Sequence, residues 1–183
     1  MKASDKNTPL SPASVSRRTV LGTGLAVAAF TIVPRHVLGG TGNTPPSEKL
    51  HIAGVGIGGQ GASDLNDVSS ENIVALCDVD WDYAGHTFRK YPKAKQYKDF
   101  RVMFEKEKGI DAVVVGTPDH NHAIVSMMAI ELGKHVYCEK PLTRTVYEAR
   151  ALAKAAREAK VATQMGNQGM AFEGNRLINE WIW

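Results

Sequence analysis

The sequence predicts an α/β fold: a doubly wound, mainly parallel sheet of about six strands with helices on both faces. Three observations carry that expectation. The candidate strands are continuous apolar runs, as strands buried on both faces must be. They alternate with stretches that read as helix. A glycine-rich turn separates the first strand from the first helix.

Residues 50–55 form a short apolar run, the first strand, and 59–68 follow as a helix. Residues 73–77 (I-V-A-L-C) are the second strand. Residues 80–91 read as helix and stop before Pro92, because the residue ahead of a proline avoids helical geometry. Residues 95–97 are a third, edge strand, and 99–108 a short helix with Phe100, Met103 and Phe104 on one face. Residues 112–115 are apolar and β-branched, hence strand, and 121–132 a helix closed by Gly133. Residues 135–138 are the fifth strand. Residues 143–158, rich in Ala, Leu, Arg and Lys, are the clearest helix. Residues 161–164 are the sixth strand, and 173–183 start another helix. The expected order across the sheet is 3-2-1-4-5-6, with the winding reversing beside residues 56–61.

The chain has 183 residues, 43% hydrophobic and 22% charged, with 17 Gly, 8 Pro and 2 Cys. This ordinary composition excludes a collagen-like chain, a disordered tail and a disulfide scaffold. At roughly 150 residues per domain, the length suits one domain. The net charge of +3 is unevenly spread. Residues 1–35 hold Lys2, Lys6, Arg17, Arg18 and Arg35 against Asp5 alone. Of the 22 basic and 19 acidic residues, the remainder keeps 17 and 18, so it is close to neutral. No nucleic-acid partner is expected of such a surface.

The basic start reads as a leader. Residues 1–15 are polar and small, S-R-R-T-V-L follows at 16–21, and 19–34 carry no charge. Arginines ahead of a short apolar run describe an export signal. The run is shorter than the roughly 20 residues a membrane span needs. The arginine pair after Ser16 resembles a twin-arginine signal, which implies the twin-arginine export machinery as a partner and a periplasmic location. The alternative, an amphipathic helix with two surface arginines, needs a polar face that this run lacks. V-L-G at 37–39 is a weak cleavage match, so membrane retention through an uncleaved leader stays open. T-G-N-T-P-P at 41–46 reads as linker. The expected division is leader and linker at 1–46 and one domain at 47–183.

After the first strand come Gly56, Ile57, Gly58, Gly59, Gln60 and Gly61, a match to G-x-G-x-x-G. Gly56 permits a tight turn, Gly58 lets the backbone approach a pyrophosphate, and Gly61 brings helix and strand together. With Gly59 and Gln60, the helix start offers free N–H groups to the anion. Asp78 ends the second strand about 20 residues further on, where a carboxylate accepts from a ribose. Neither Val79 nor Asp80 supplies a cation for a 2′-phosphate, so NAD is expected over NADP. The competing role for Asp78 is to cap the next helix, for which Asp80 is the better placed residue.

Thr117 and Pro118 follow the fourth strand at the carboxyl edge, where ligands bind in such sheets. Asp119, His120 and His122 invite a metal reading, but the spacing supplies no compact third ligand cluster and no metal is expected. Their other reading is a turn and helix cap with solvated histidines. Glu139, Lys140 and Pro141 follow the fifth strand at the same edge. Pro141 pushes Lys140 to an extended backbone, which aims its ammonium. A lysine held in a partly desolvated site can donate to a carbinol oxygen. The alternative is a surface ion pair at a strand end.

V-G-I-G-G-Q-G, C-D-V-D, G-T-P-D-H-N-H and G-K-H-V-Y-C-E-K-P, in this order, resemble the Gfo/Idh/MocA family of nicotinamide-dependent oxidoreductases. The resemblance runs from about residue 49 to the end. The twin-arginine leader and the ending G-N-Q-G-M-A-F-E-G-N-R-L-I-N-E-W-I-W look like the family's exported bacterial branch. The resemblance implies a Rossmann domain followed by an α/β domain with an open sheet. It implies that Lys140 touches nicotinamide and substrate, and that Glu139, Thr117, Pro118 and His122 line the cofactor. It also implies a sugar-like substrate and an oligomer in the full-length parent. Family members are about twice as long, so the chain reads as a fragment lacking the second α/β domain. Three functions stay open: hydride transfer between NAD and a sugar or cyclitol hydroxyl, an NAD-dependent glycoside hydrolase, and an NAD-binding fragment without catalysis. Cys77 and Cys138 fall on strands three spacings apart, roughly 14 Å, beyond the reach of a disulfide, and are expected as free thiols.

Overall fold

The structure, a computed structural model, describes residues 44–183. Residues 1–43, which take in the expected leader and the first half of the expected linker, lie outside the described residues. Residues 46–183 form one compact unit. It contains β1 (His51–Val55), α1 (Gln60–Asp67), β2 (Asn72–Cys77), α2 (Gly85–Lys90), β3 (Lys95–Tyr97), α3 (Phe100–Lys106), β4 (Ala112–Val115), α4 (Asp119–Glu131), β5 (His135–Glu139), α5 (Val146–Ala159), β6 (Thr163–Gly166) and α6 (Glu173–Ile182). The six strands form one sheet in the order β3-β2-β1-β4-β5-β6, as expected, and every pairing is parallel.

Both sheet faces are packed, which explains the continuous apolar runs. Ala53, Val55, Val113 and Val115 point into one core with Met103, Val125 and Ile130 from the helices. Ile52 and Val114, their neighbours in sequence, point into a second core with Leu65 of α1 and Phe88 of α2. Successive residues of β1 and β4 thus meet different helices. Both thiols are free and buried, as expected.

Three of the elements whose ends differ from the expectation show a local cause. The helix expected over 80–91 starts only at Gly85. Asp80 caps a turn instead, its Oδ1 accepting from Tyr83 N at 3.0 Å. Thr87 then anchors α2 by donating from Oγ1 to Ile57 O at 2.7 Å. The helix expected over 143–158 starts after Thr145, because Thr145 and Glu148 form a reciprocal capping box, an arrangement worth about 1 kcal/mol at the cap residue. The strand expected over 161–164 is displaced to Thr163–Gly166. Lys160 takes the left-handed conformation (φ 55°) to end α5, which spends Val161 and Ala162 on the reversal.

Candidate functional site

The strand–turn–helix step at β1 and α1 is locked by backbone contact. Gly56 has φ +75°, where a side chain is strained. A Cβ on Gly61 would lie 2.2 Å from Gly56 O. Gly116, just after β4, completes the contact, since its Cβ would lie 2.6 Å from Gly61 Cα. Gly116 opens the G-T-P-D-H-N-H stretch, but its need for no side chain arises from a neighbour 55 positions away. No side chain caps the start of α1, where Gly59 is the cap residue. The helix start is therefore open to an anion.

Asp78 lies against this turn. Its Oδ2 accepts from Ile57 N at 2.7 Å and its Oδ1 from Asp80 N at 3.0 Å. Each oxygen keeps a lone pair for a further donor. Asp78 does not cap α2, whose cap residue is Ala84.

Beside them opens a cavity of about 470 Å³, within the usual range for a small-molecule site. Of the residues expected at the cofactor, Gly56, Gly58, Gly59, Asp78, Thr117 and Pro118 line it. So do Tyr83, Lys98, Phe100 and Asn121, which sequence reasoning missed. The Tyr83 ring covers the open side of Gly58, with a ring carbon 2.1 Å from where a Cβ would stand. Lys98, from the end of β3, holds its ammonium 5.2 Å from the Trp81 ring centre. Val79 and Asp80 bring no cation to Asp78, but Lys98 stands in the same wall. A groove of about 710 Å³ at the opposite sheet edge, near Asn72 and Lys95, has no comparable glycine cradle.

A dinucleotide fits the residues present. The glycine cradle leaves backbone for a pyrophosphate to approach. Thr117 Oγ1 is buried without a protein partner in the same wall, so a ligand group can satisfy it.

The remaining candidates stand around the cavity rather than in its lining. Gln60 and Gly61 begin α1, and Gln60 Nε2 donates to Asp64 Oδ1 at 2.9 Å. Lys140 is exposed at the end of β5. Glu139 is 4% exposed and turns inward, accepting from Lys140 N at 3.1 Å and Gln168 Nε2 at 3.0 Å. Burial first, then the charges of Asp64 and Glu139, push the Tyr137 phenol up to about 12. His122, expected by resemblance to line the cofactor, is not among the residues that line the cavity. It is 1% exposed behind the wall, with Nδ1 2.6 Å from Pro141 O and Nε2 2.7 Å from Thr117 O. α4 starts at Asp119, so His122 sits in its first turn and faces the sheet rather than solvent. Among the described residues, no three His, Cys, Asp or Glu side chains are grouped to hold a metal.

Comparison with known proteins agrees with this geometry. Residues 49–167, well over half the chain, match the model of the oxidoreductase family with an NAD-binding Rossmann fold. The chain is 33% identical over 106 residues to inositol 2-dehydrogenase of Salmonella typhimurium, covering 55% of this chain and 31% of that protein. A crystal structure of an NAD binding oxidoreductase from Klebsiella pneumoniae superposes with a TM-score of 0.56 at 32% identity, covering 68% of this chain and 36% of that one. The fold is also that of myo-inositol 2-dehydrogenase from Lactobacillus plantarum, at a TM-score of 0.65 and 23% identity over 73% of this chain and 41% of that one. The chain spans about a third of the length of the curated relatives it matches. Glycine turn, strand-end aspartate and parallel sheet thus converge on one assignment: the chain belongs to the Gfo/Idh/MocA oxidoreductases, as their NAD-binding Rossmann domain.

Proposed function

We propose that the cavity at the carboxyl edge holds NAD, and that the chain serves hydride transfer between NAD and a sugar or cyclitol hydroxyl. The observation that carries the binding reading is the cradle of Gly56, Gly61 and Gly116 with Asp78 bonded against it. The relatives' names support the substrate class, since they are inositol and sugar dehydrogenases. When bound, NAD takes or returns the hydride. The residues of this chain do the rest. The open start of α1 faces the pyrophosphate, and Asp78 accepts from ribose hydroxyls with its free lone pairs. Lys140 holds the substrate oxygen and exchanges its proton as the adjacent carbon loses or gains hydride. Glu139 fixes the Lys140 backbone through its N–H.

The leader carries a second proposal. The Arg17–Arg18 pair and the uncharged run to residue 34 support export by the twin-arginine route to the periplasm. Calorimetric titration tests the binding reading. NAD should bind the parent chain, and Asp78→Ala should weaken it roughly tenfold, about 1.4 kcal/mol. Equal affinity of parent and variant would remove Asp78 from the site, and no binding by the folded parent would overturn the reading.

A further inference from the structure

The Tyr83 side chain lies along the glycine turn. Its Cδ1 stands 2.1 Å and its Cε1 2.5 Å from where a Cβ on Gly58 would be. Its hydroxyl oxygen stands 3.1 Å from the corresponding point on Gly59. The ring therefore fills the space that the absent side chain of Gly58 leaves free. Gly58 is the residue whose bare backbone a pyrophosphate approaches, and Gly59 stands at the start of α1, where an anion is favoured. Ring and pyrophosphate claim the same space.

The backbone beneath the ring is pinned. Asp80 N donates to Asp78 Oδ1 at 3.0 Å, Tyr83 N to Asp80 Oδ1 at 3.0 Å, and Ala84 N to Asp80 O at 3.0 Å. Ala84 is fully buried, and Thr87 ties α2 to Ile57 O at 2.7 Å. The turn cannot carry the ring away without breaking these bonds. The side chain can leave alone, because Tyr83 is 63% exposed and rotation about its own χ angles swings the ring into solvent.

We propose that Tyr83 is a gate on the dinucleotide seat. Its ring occupies the pyrophosphate's place in the free chain and must swing out before the cofactor settles. This rests on the NAD-binding reading above. The step is a change of rotamer, with strands and helices left where they are. Apparent affinity is the intrinsic affinity multiplied by the fraction of molecules whose seat is clear. An exposed ring is held on one face only, so the gate lowers affinity several-fold rather than by orders of magnitude.

Calorimetric titrations with NAD and with adenosine, and proton spectra of the intact chain, test the gate. Tyr83→Ala removes the ring and should bind NAD roughly fivefold more tightly than the parent. Tyr83→Phe keeps the ring and should match the parent. Adenosine carries no phosphate, so its affinity should be the same for the parent and both variants. In the parent, nuclear Overhauser contacts between the Tyr83 ring and the Gly58 α-protons should be present without ligand and vanish on saturation with NAD. Contacts that survive saturation overturn the gate, and so does an NAD affinity that Tyr83→Ala leaves unchanged. Weaker binding by both variants would make the hydroxyl a phosphate donor and overturn it too. A gain for adenosine as large as that for NAD overturns the assignment of the ring's seat to the pyrophosphate. The contacts are read on the parent chain, so they decide the matter even where a variant does not fold. NAD that binds neither the parent nor Tyr83→Ala overturns the binding reading and the gate with it, whereas NAD that binds both with one affinity overturns the gate alone.

Discussion

Gly58 and Gly61, in the same turn, have different physical reasons to be glycine. An Ala at position 61 would place its Cβ 2.2 Å from Gly56 O, a backbone atom fixed by the first strand. An Ala at position 58 would meet the Tyr83 ring at 2.1 Å, but that ring is 63% exposed and free to swing away. Gly61→Ala should therefore cost about 3 kcal/mol or more in urea unfolding, as an overpacked site that cannot relax. Gly58→Ala should cost well under about 1 kcal/mol in stability but weaken NAD binding clearly, because the methyl stands where the pyrophosphate approaches. Equal destabilisation by the two substitutions would show that the Tyr83 ring is not the yielding neighbour. The thiols differ from such sites in being inert by position. Burial, with nearby Asp78 and Asp99, pushes Cys77 up to about 12, and burial pushes Cys138 up to about 11.

At the scale of an element, α1 carries an internal conflict. It opens toward the site and buries Leu65 fully, yet it also buries Asp64 beside its own Asp67 and near Glu139. Burial raises the Asp64 carboxyl, the Gln60 bond lowers it, and the carboxylates of Glu139 and Asp67 raise it again. One oxygen, Oδ2, has no protein partner. A carboxyl raised in the fold stabilises the fold when protonated. Its contribution is full below the unfolded value and is lost as pH rises through the folded value. Asp64→Asn keeps the oxygen that Gln60 bonds and removes the charge. It should raise the melting temperature at neutral pH, and the gain should shrink as pH falls to the ordinary carboxylate range near about 4. A variant less stable at neutral pH, or a gain independent of pH, would show that Asp64 is well solvated as an anion.

For the whole molecule, strand order is the property that most other features depend on. The order β3-β2-β1-β4-β5-β6 brings the ends of β1, β2 and β4 to one cavity, with Lys98 from the end of β3 and Lys140 at the neighbouring end of β5. The same order puts Cys77 and Cys138 three strands apart, roughly 14 Å, where no disulfide reaches. Native protein treated with an alkylating agent, without reductant, should stay unlabelled at both positions, and unfolding should expose both thiols. A mass shift showing an intact bridge would contradict the sheet order as well as the thiols.

The sequence by itself determined what is local or periodic. The G-x-G-x-x-G turn between an apolar run and a helix is a short-range pattern, and so is Asp78 at its strand end. Continuous apolar strands separated by helices dictate a sheet covered on both faces, and with it the parallel order. Element ends were less legible, because Thr145 and Lys160 act through hydrogen bonds and a backbone reversal that periodicity does not register. The tertiary structure decided everything that depends on distant segments meeting. It brought Gly116 against Gly61, laid Tyr83 over Gly58 and put Lys98 in the wall with Asp78. It also drew His122 out of the lining and set it between two carbonyls. Nothing in the residues beside His122 marks it for burial. Its place follows from α4 packing on β4 and β5, so its partners exist only once those strands are neighbours.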